Sequence, residues 1–221
     1  MRGQNIAEWW SLGDMVGYGA DPVYCARTCL THAERQLAGN HDLAVAARID
    51  RSVFTAASQE ALRWTAQQLG PGLRAEIGRL LPSEPGPEVS LFHASPRDPI
   101  WEYVINDHLA RENLERIDSD LAFVGHTHVP SAWRLSPDGE LSGGPIDRPT
   151  TVDLREGRWL VNPGSVGQPR DGDARAAWAI HDSDAGHVQF IRTPYDVANA
   201  QNAILNAELP ESLANRLSIG R

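Results

Sequence analysis

Leu121-Ala122-Phe123-Val124-Gly125-His126-Thr127-His128 joins an apolar run to a cluster of metal-liganding side chains, and the rest of the chain reads outward from it. Four apolar residues bounded by turn formers predict a strand buried on both faces. The same junction occurs three more times. Ile6–Leu12, broken by Glu8 and Ser11, runs into Gly13-Asp14, Gln36–Ala38 into Gly39-Asn40-His41-Asp42, and Val89–Phe92 into His93. In open α/β sheets, ligands collect beyond the carboxyl ends of the strands. Carboxylate, amide and imidazole donors leaving four strand ends therefore predict one shared metal site and hydrolytic chemistry.

Helical patterns alternate with these runs over the first two thirds of the chain. Pro22–Thr31 reads as a helix. Ser58–Leu69 is a second, with Ser58 as N-cap and Leu62, Thr65, Ala66 and Leu69 on one face. Leu73–Leu81 and His108–Ile117 follow, with a stiff loop from Pro82 to Pro87 between them. The last third is different. Ala132–Leu135 with Glu140–Ser142, Thr151–Leu154 with Arg158–Val161, and Ala176–His181 with Val188–Arg192 each flank turn residues and predict three hairpins, before a helix at Asp196–Asn206. The expected architecture is α/β, two packed sheets flanked by helices, in one domain over residues 1–221.

Composition narrows the function. Hydrophobic content of 41% over 221 residues is enough for a sizeable core, and no apolar run is long enough to span a membrane. Met1–Asn5 lacks an apolar leader segment, so the cytoplasm is the expected compartment. A net charge of −9 argues against nucleic acid as a partner, whereas bound cations would still admit a small phosphorylated substrate. All 20 basic residues are arginine, so any cationic clamp must be a guanidinium, which suits bidentate phosphate contact. Cys25 and Cys29, four apart in a helix, are expected to be structural.

Taken singly, Asp14 and Asn40 are turn residues and His93 an interior histidine; the joint pattern gives them another role. Asp14 is placed to bridge two cations, Asn40 to offer its amide oxygen, and His126 and His128, two apart on one side of an extended segment, to reach neighbouring ions. Asp42 is expected to hydrogen-bond the ring of His41, which would protonate the leaving alkoxide after attack by a metal-bridging hydroxide. Tyr18 and the Ser165–Arg170 stretch are expected at the pocket rim. Arg97 reads either as substrate-facing or as one half of a surface ion pair. His32, His108, His181 and His187 read as surface or capping residues, and the seven tryptophans as core or lid packing.

In this order, Gly13-Asp14, Gly39-Asn40-His41-Asp42, His93 and Gly125-His126-Thr127-His128 resemble the signature of calcineurin-like metallophosphoesterases. Gly13-Asp14-Met15-Val16-Gly17-Tyr18-Gly19, His93-Ala94-Ser95-Pro96 and Asn162-Pro163-Gly164-Ser165-Val166 resemble its small bacterial branch. The resemblance implies an αββα sandwich of two mixed sheets. It also implies two divalent ions (Mn, Fe, Zn or Ni), with Asp14 as the bridge. Asn40, His93 and His126 would complete one site and His128 would join the other, with His41 as proton donor. The family also opens with a strand ending Asp-x-His that supplies two further ligands, and residues 1–13 contain neither Asp nor His. A truncated or misplaced start is the expected reason, leaving Asp14 and His128 alone at the second ion, so that one ion is bound. The expected function is a metal-dependent phosphoesterase for small phosphodiesters or phosphomonoesters such as nucleotides. The alternative is a non-catalytic binding or scaffold protein on the same fold.

Overall fold

The computed structural model describes residues 6–221. In chain order its strands are β1 (Trp10–Ser11), β2 (Arg35–Gln36), β3 (Ser83–Glu84), β4 (Val89–Phe92), β5 (Leu121–Phe123), β6 (Ser131–Leu135), β7 (Leu141–Pro145), β8 (Thr150–Asp153), β9 (Arg158–Asn162), β10 (Ala176–Asp182) and β11 (His187–Thr193). Six of them form a mixed sheet in the order β3-β4-β5-β9-β6-β7, parallel from β4 through β9 and antiparallel at both sides. An antiparallel sheet, β10-β11-β8, packs on it, and β1 runs parallel to β2 as a separate pair. The helices are α1 (Pro22–His32), α2 (Asn40–Val45), α3 (Ala56–Ile77), α4 (Asp107–Leu114), α5 (Val197–Asn206) and α6 (Glu211–Ile219).

Period-two alternation builds the layers. Leu121 and Phe123 face one way, with Leu91, Trp159 and Val161, and meet Val188 and Phe190 of β11 between the sheets. Ala122 and Val124 face the other way, with Phe92, Trp133 and Leu160, against Ala110 and Leu114 of α4. Both faces are covered, so the central strands read as continuous apolar runs. The remaining helices have cores of their own. Ala26, Val45, Leu62 and Ile77 bind α1 and α2 to α3, and Leu213, Ala214 and Leu217 bind α6 to α5 and Ala61 of α3. The chain is thus an α/β sandwich of two sheets flanked by helices.

Several local expectations are corrected. Only Trp10–Ser11 of the Ile6–Leu12 run is strand. Asn40 does not close a strand but opens α2, a helix of six buried residues. The N-cap of α3 is Thr55, whose Oγ1 accepts from Ser58 N at 3.3 Å. The two helices expected at Ser58–Leu69 and Leu73–Leu81 run on as α3 across a kink at Gly70 (φ 66°), where Pro71 disfavours the α conformation of its predecessor. The segment Pro82–Pro87 contains β3, and α6 was not expected.

The Thr151–Leu154/Arg158–Val161 hairpin does not form: β8 pairs with β11 in one sheet and β9 lies between β5 and β6 in the other. Burial explains this. Trp159, Leu160, Val161 and Asn162 are all buried and need a central position, whereas Thr150, Thr151 and Asp153 are exposed and suit an edge. The other two hairpins form, β6–β7 and β10–β11. No described helix is long and apolar enough to cross a membrane.

Candidate metal centre

The ends of β1, β2, β4 and β5 meet at one place. Gly13 (φ 90°) and Gly39 let the first two chain reversals touch. A Cβ on Gly13 would lie 2.8 Å from the Ala38 carbonyl carbon, and one on Gly39 would lie 2.5 Å from Asp14 Cγ. Asp14 Oδ1 accepts from His41 N at 2.9 Å, which leaves Oδ2 pointing at His93 Nε2, 3.6 Å away. His93 Nδ1 lies 2.8 Å from the Leu12 carbonyl, so Nδ1 carries the proton and Nε2 a lone pair. Asn40 Oδ1 stands 3.3 Å from that same Nε2. The ring of His126 packs 5.1 Å from that of His93, and its buried Nε2 has no hydrogen-bond partner.

Asp14, His93 and His126 can place one ligand atom each within 4.8 Å of the others. Buried acceptors that face one another without a proton between them are costly, unless a cation takes the place of the proton. The donor set of carboxylate, amide oxygen and two imidazoles fits a divalent transition metal. His128 stands outside that three-residue group. Its Nδ1 donates to the Gln168 carbonyl at 2.7 Å, leaving Nε2 as a lone pair.

His126 and His128 do not sit on an extended segment as expected. Both are left-handed (φ 61° and 60°), as is Asp14 (φ 53°). Five described non-glycine residues have positive φ, and three are these ligand candidates; strain concentrated in this way marks a functional site. Asn162 holds the turn, its Nδ2 donating to Gly125 O at 2.7 Å and to Thr127 Oγ1 at 2.9 Å.

Asp42 does not hydrogen-bond the ring of His41. Its carboxylate accepts from Gly39 N at 2.9 Å and from Met15 N and Val16 N at 3.3 Å, and so ties the two metal-side turns together. The ring of His41 is held by Tyr18 at 4.1 Å and Phe54 at 5.0 Å, and its buried Nδ1 is unpartnered. Gly17 (φ 127°) makes room for it, since a Cβ there would lie 2.5 Å from Nδ1.

Arg97 is not at the centre. It pairs with Glu102 at 2.8 Å and with Glu112, and its backbone N–H donates to Asn113. The cation that bears on the site is Arg170. Its Nη2 reaches Tyr18 Oη at 3.3 Å and Gln168 Oε1 at 2.9 Å, and its N–H donates to His128 O at 3.2 Å. Among the described residues no carboxylate pairs with it. Sequence alone placed Arg170 only at one end of a rim segment; nothing local distinguished it from the other arginines.

Burial dominates the electrostatics. It raises the Asp14 carboxyl to about 7, against the His41 N–H and the Arg170 charge, and it raises Asp42, which the Asp14 charge pushes further. It lowers His126 and His128 to about 3, with His93 and Arg170 respectively adding to the effect, and it lowers His93 and holds His41 well below 6.5. The imidazoles are thus neutral, as ligands must be.

Residues 4–186 match the family model described as the calcineurin-like phosphoesterase superfamily domain. An uncharacterised protein of Methanocaldococcus jannaschii is 33% identical over 231 aligned positions, covering all of this chain and 90% of that one. A metallophosphoesterase from Sphaerobacter thermophilus is 38% identical and superposes with a TM-score of 0.88 over 99% of this chain and 90% of that one. A hypothetical protein from Pyrococcus horikoshii, 18% identical, shares the fold with a TM-score of 0.77 over 99% and 87% of the two chains. Four strand ends that deliver mutually facing acceptors, in a chain matched over most of its length, make this protein a member of the calcineurin-like phosphoesterase superfamily.

Proposed function

We propose that the protein is a metal-dependent phosphoesterase acting on small phosphodiesters or phosphomonoesters. One observation carries the reading: Asp14, His93 and His126 can bring one ligand atom each within 4.8 Å of the others, with Asn40 Oδ1 3.3 Å from His93 Nε2. A divalent cation held there would polarise the phosphoryl group and bring the pKa of water down to about 7.

The chain's own residues supply the rest. Arg170, held by Gln168 and Tyr18 and without an acidic partner among the described residues, binds the non-bridging phosphoryl oxygens and offsets their growing charge. His41, fixed between Tyr18 and Phe54 with Nδ1 turned to Gly17, presents Nε2 to the leaving oxygen. Burial keeps that ring neutral until an anionic substrate arrives to favour its protonated form. Asp42 positions Asp14 and His41 by fixing both turns. With a net charge of −9, the chain favours a small phosphorylated substrate over a nucleic-acid backbone.

The test is hydrolysis of bis-p-nitrophenyl phosphate by protein loaded in turn with Mn²⁺, Fe²⁺, Zn²⁺ and Ni²⁺, with metal content measured in parallel. Turnover that needs metal and disappears with chelator is expected. A metal-replete protein inert with all four ions would overturn the reading. It would favour a binding role on the same fold, for which His128 standing apart from the group of Asp14, His93 and His126 is the motivating observation.

A further inference from the structure

The segment Trp101–Ile105, between β4 and α4, inverts the usual pattern of an extended surface strand. Glu102 and Val104 point inward. Glu102 accepts from Ser95 Oγ at 2.6 Å, Asn113 Nδ2 at 2.7 Å and Arg97 at 2.8 Å, and Val104 is only 3% exposed. Trp101, Tyr103 and Ile105 point outward and are 38%, 43% and 63% exposed. A charged side chain is therefore spent on anchoring while three large apolar ones face solvent.

Their position gives this a purpose. Tyr103 packs 4.1 Å from the ring of His126. Trp101 packs 5.4 Å from Phe54, which stands 5.0 Å from His41. The two exposed rings thus end two short chains of tilted and edge-on aromatic contacts that start at the metal-side histidines, and the Glu102 carboxylate between them is anchored inward by Ser95, Asn113 and Arg97. Both rings adjoin the centre where a phosphoester would be held, Tyr103 directly at His126 and Trp101 through Phe54.

We infer that Trp101 and Tyr103 form a stacking platform for a planar aromatic group carried by the phosphorylated substrate, a nucleobase or an aryl ring. Stacking on exposed rings discriminates by face area and polarisability rather than by hydrogen-bond pattern. The platform selects aromatic over aliphatic esters and tolerates the identity of the base. This inference rests on the phosphoesterase reading for the position of the phosphate.

Adenosine 5′-monophosphate and ribose 5-phosphate share phosphate and sugar and differ only in the base. Their dissociation constants from the Mn²⁺-loaded protein, read by titration calorimetry, should differ by about tenfold or more, equivalent to ~1.4 kcal/mol. The ratio should fall toward one in the double variant Trp101→Leu/Tyr103→Leu and persist in Trp101→Phe/Tyr103→Phe, with unchanged thermal midpoints showing that both fold. Equal affinities in the parent protein, or a ratio that survives the leucine pair or is lost in the phenylalanine pair, overturn the platform. Failure of the phosphoesterase reading is separate: it shows as absent turnover of bis-p-nitrophenyl phosphate, whatever the binding ratio.

Discussion

Gly39→Ala isolates the contact that sets the metal site. Gly39 has φ −86° and ψ 179°, a conformation alanine adopts without strain of its own backbone. The cost lies with Asp14. The new Cβ would stand 2.5 Å from Asp14 Cγ and 2.6 Å from Asp14 N, and closer still to Oδ1, where real contacts stay beyond 3.0 Å. The carboxylate must retreat by about 1 Å, and misplacement on that scale costs on the order of a hundredfold in sites that depend on position. Retreat also breaks the Oδ1 bond to His41 N, adding about 1–3 kcal/mol of instability through an unpaired buried group. Mn²⁺ affinity by calorimetry should therefore fall about a hundredfold, with a lowered thermal midpoint. Gly19→Ala, which meets nothing within 4 Å, is the control. If Gly39→Ala binds Mn²⁺ within threefold of the parent, Asp14 is not a ligand and the assignment of the centre fails.

Three further outcomes follow from the same geometry. Arg170→Ala should lower kcat/KM on bis-p-nitrophenyl phosphate by about 10- to 150-fold, the worth of a charge-assisted hydrogen bond. Metal content should not change, and loss of metal instead would make Arg170 a support for His128. Mn²⁺ affinity should rise by about tenfold per pH unit up to about 7 and then level off. The sign follows from Asp14, whose raised pKa means that below about 7 it must lose a proton to bind, while His126 and His128 stay neutral down to about 3 and do not compete. Calorimetry at pH 5.5, 6.5 and 8 that shows a flat profile refutes this. Leu160→Ala, at a fully buried side chain on the central strand β9, should cost about 2–5 kcal/mol in a chemical denaturation curve. Leu81→Ala, at a side chain 64% exposed, should change stability by less than about 0.5 kcal/mol.

The centre resolves a conflict common to buried polar sites. Folding takes four imidazoles, an amide and the Asp42 carboxylate out of water, with the Asp14 side chain only 9% exposed, and each burial is unfavourable on its own. Most of their outward-facing hydrogen-bond capacity is met from behind by the backbone: Leu12 O for His93, Gln168 O for His128, and three N–H groups for Asp42. At Asp14, His93 and His126 the remaining ligand atoms face one another, an arrangement that suits a cation. The left-handed backbones at Asp14, His126 and His128 are part of the same arrangement, a local cost that the packed sheets around them can bear.

The amino-acid sequence by itself determined which residues gather. Short apolar runs bounded by turn formers read as buried strands, as Val89–Phe92 and Leu121–Phe123 are. Gly13, Gly39 and Gly125 end three of them, and donors follow every one, so Asp14, Asn40, His93 and His126 were legible as candidates, and the fold brings them near one another. The β6–β7 and β10–β11 hairpins were legible for the same reason, since turn chemistry and period-two alternation are local properties. Tertiary structure alone decided the rest. Whether Arg158–Asn162 pairs with the strand before it or inserts between β5 and β6 depends on the two covered faces it finds there. Arg97 and Arg170 are alike as residues; the first meets Glu102 and Glu112, and the guanidinium of the second reaches Tyr18 and Gln168 beside the histidines. Asp42 turns to three backbone N–H groups rather than to its neighbour's ring because α2 begins at Asn40 and carries the two side chains apart. Spacing along the chain records what each residue can do. Which partner it meets is set by long-range packing, which that spacing does not encode.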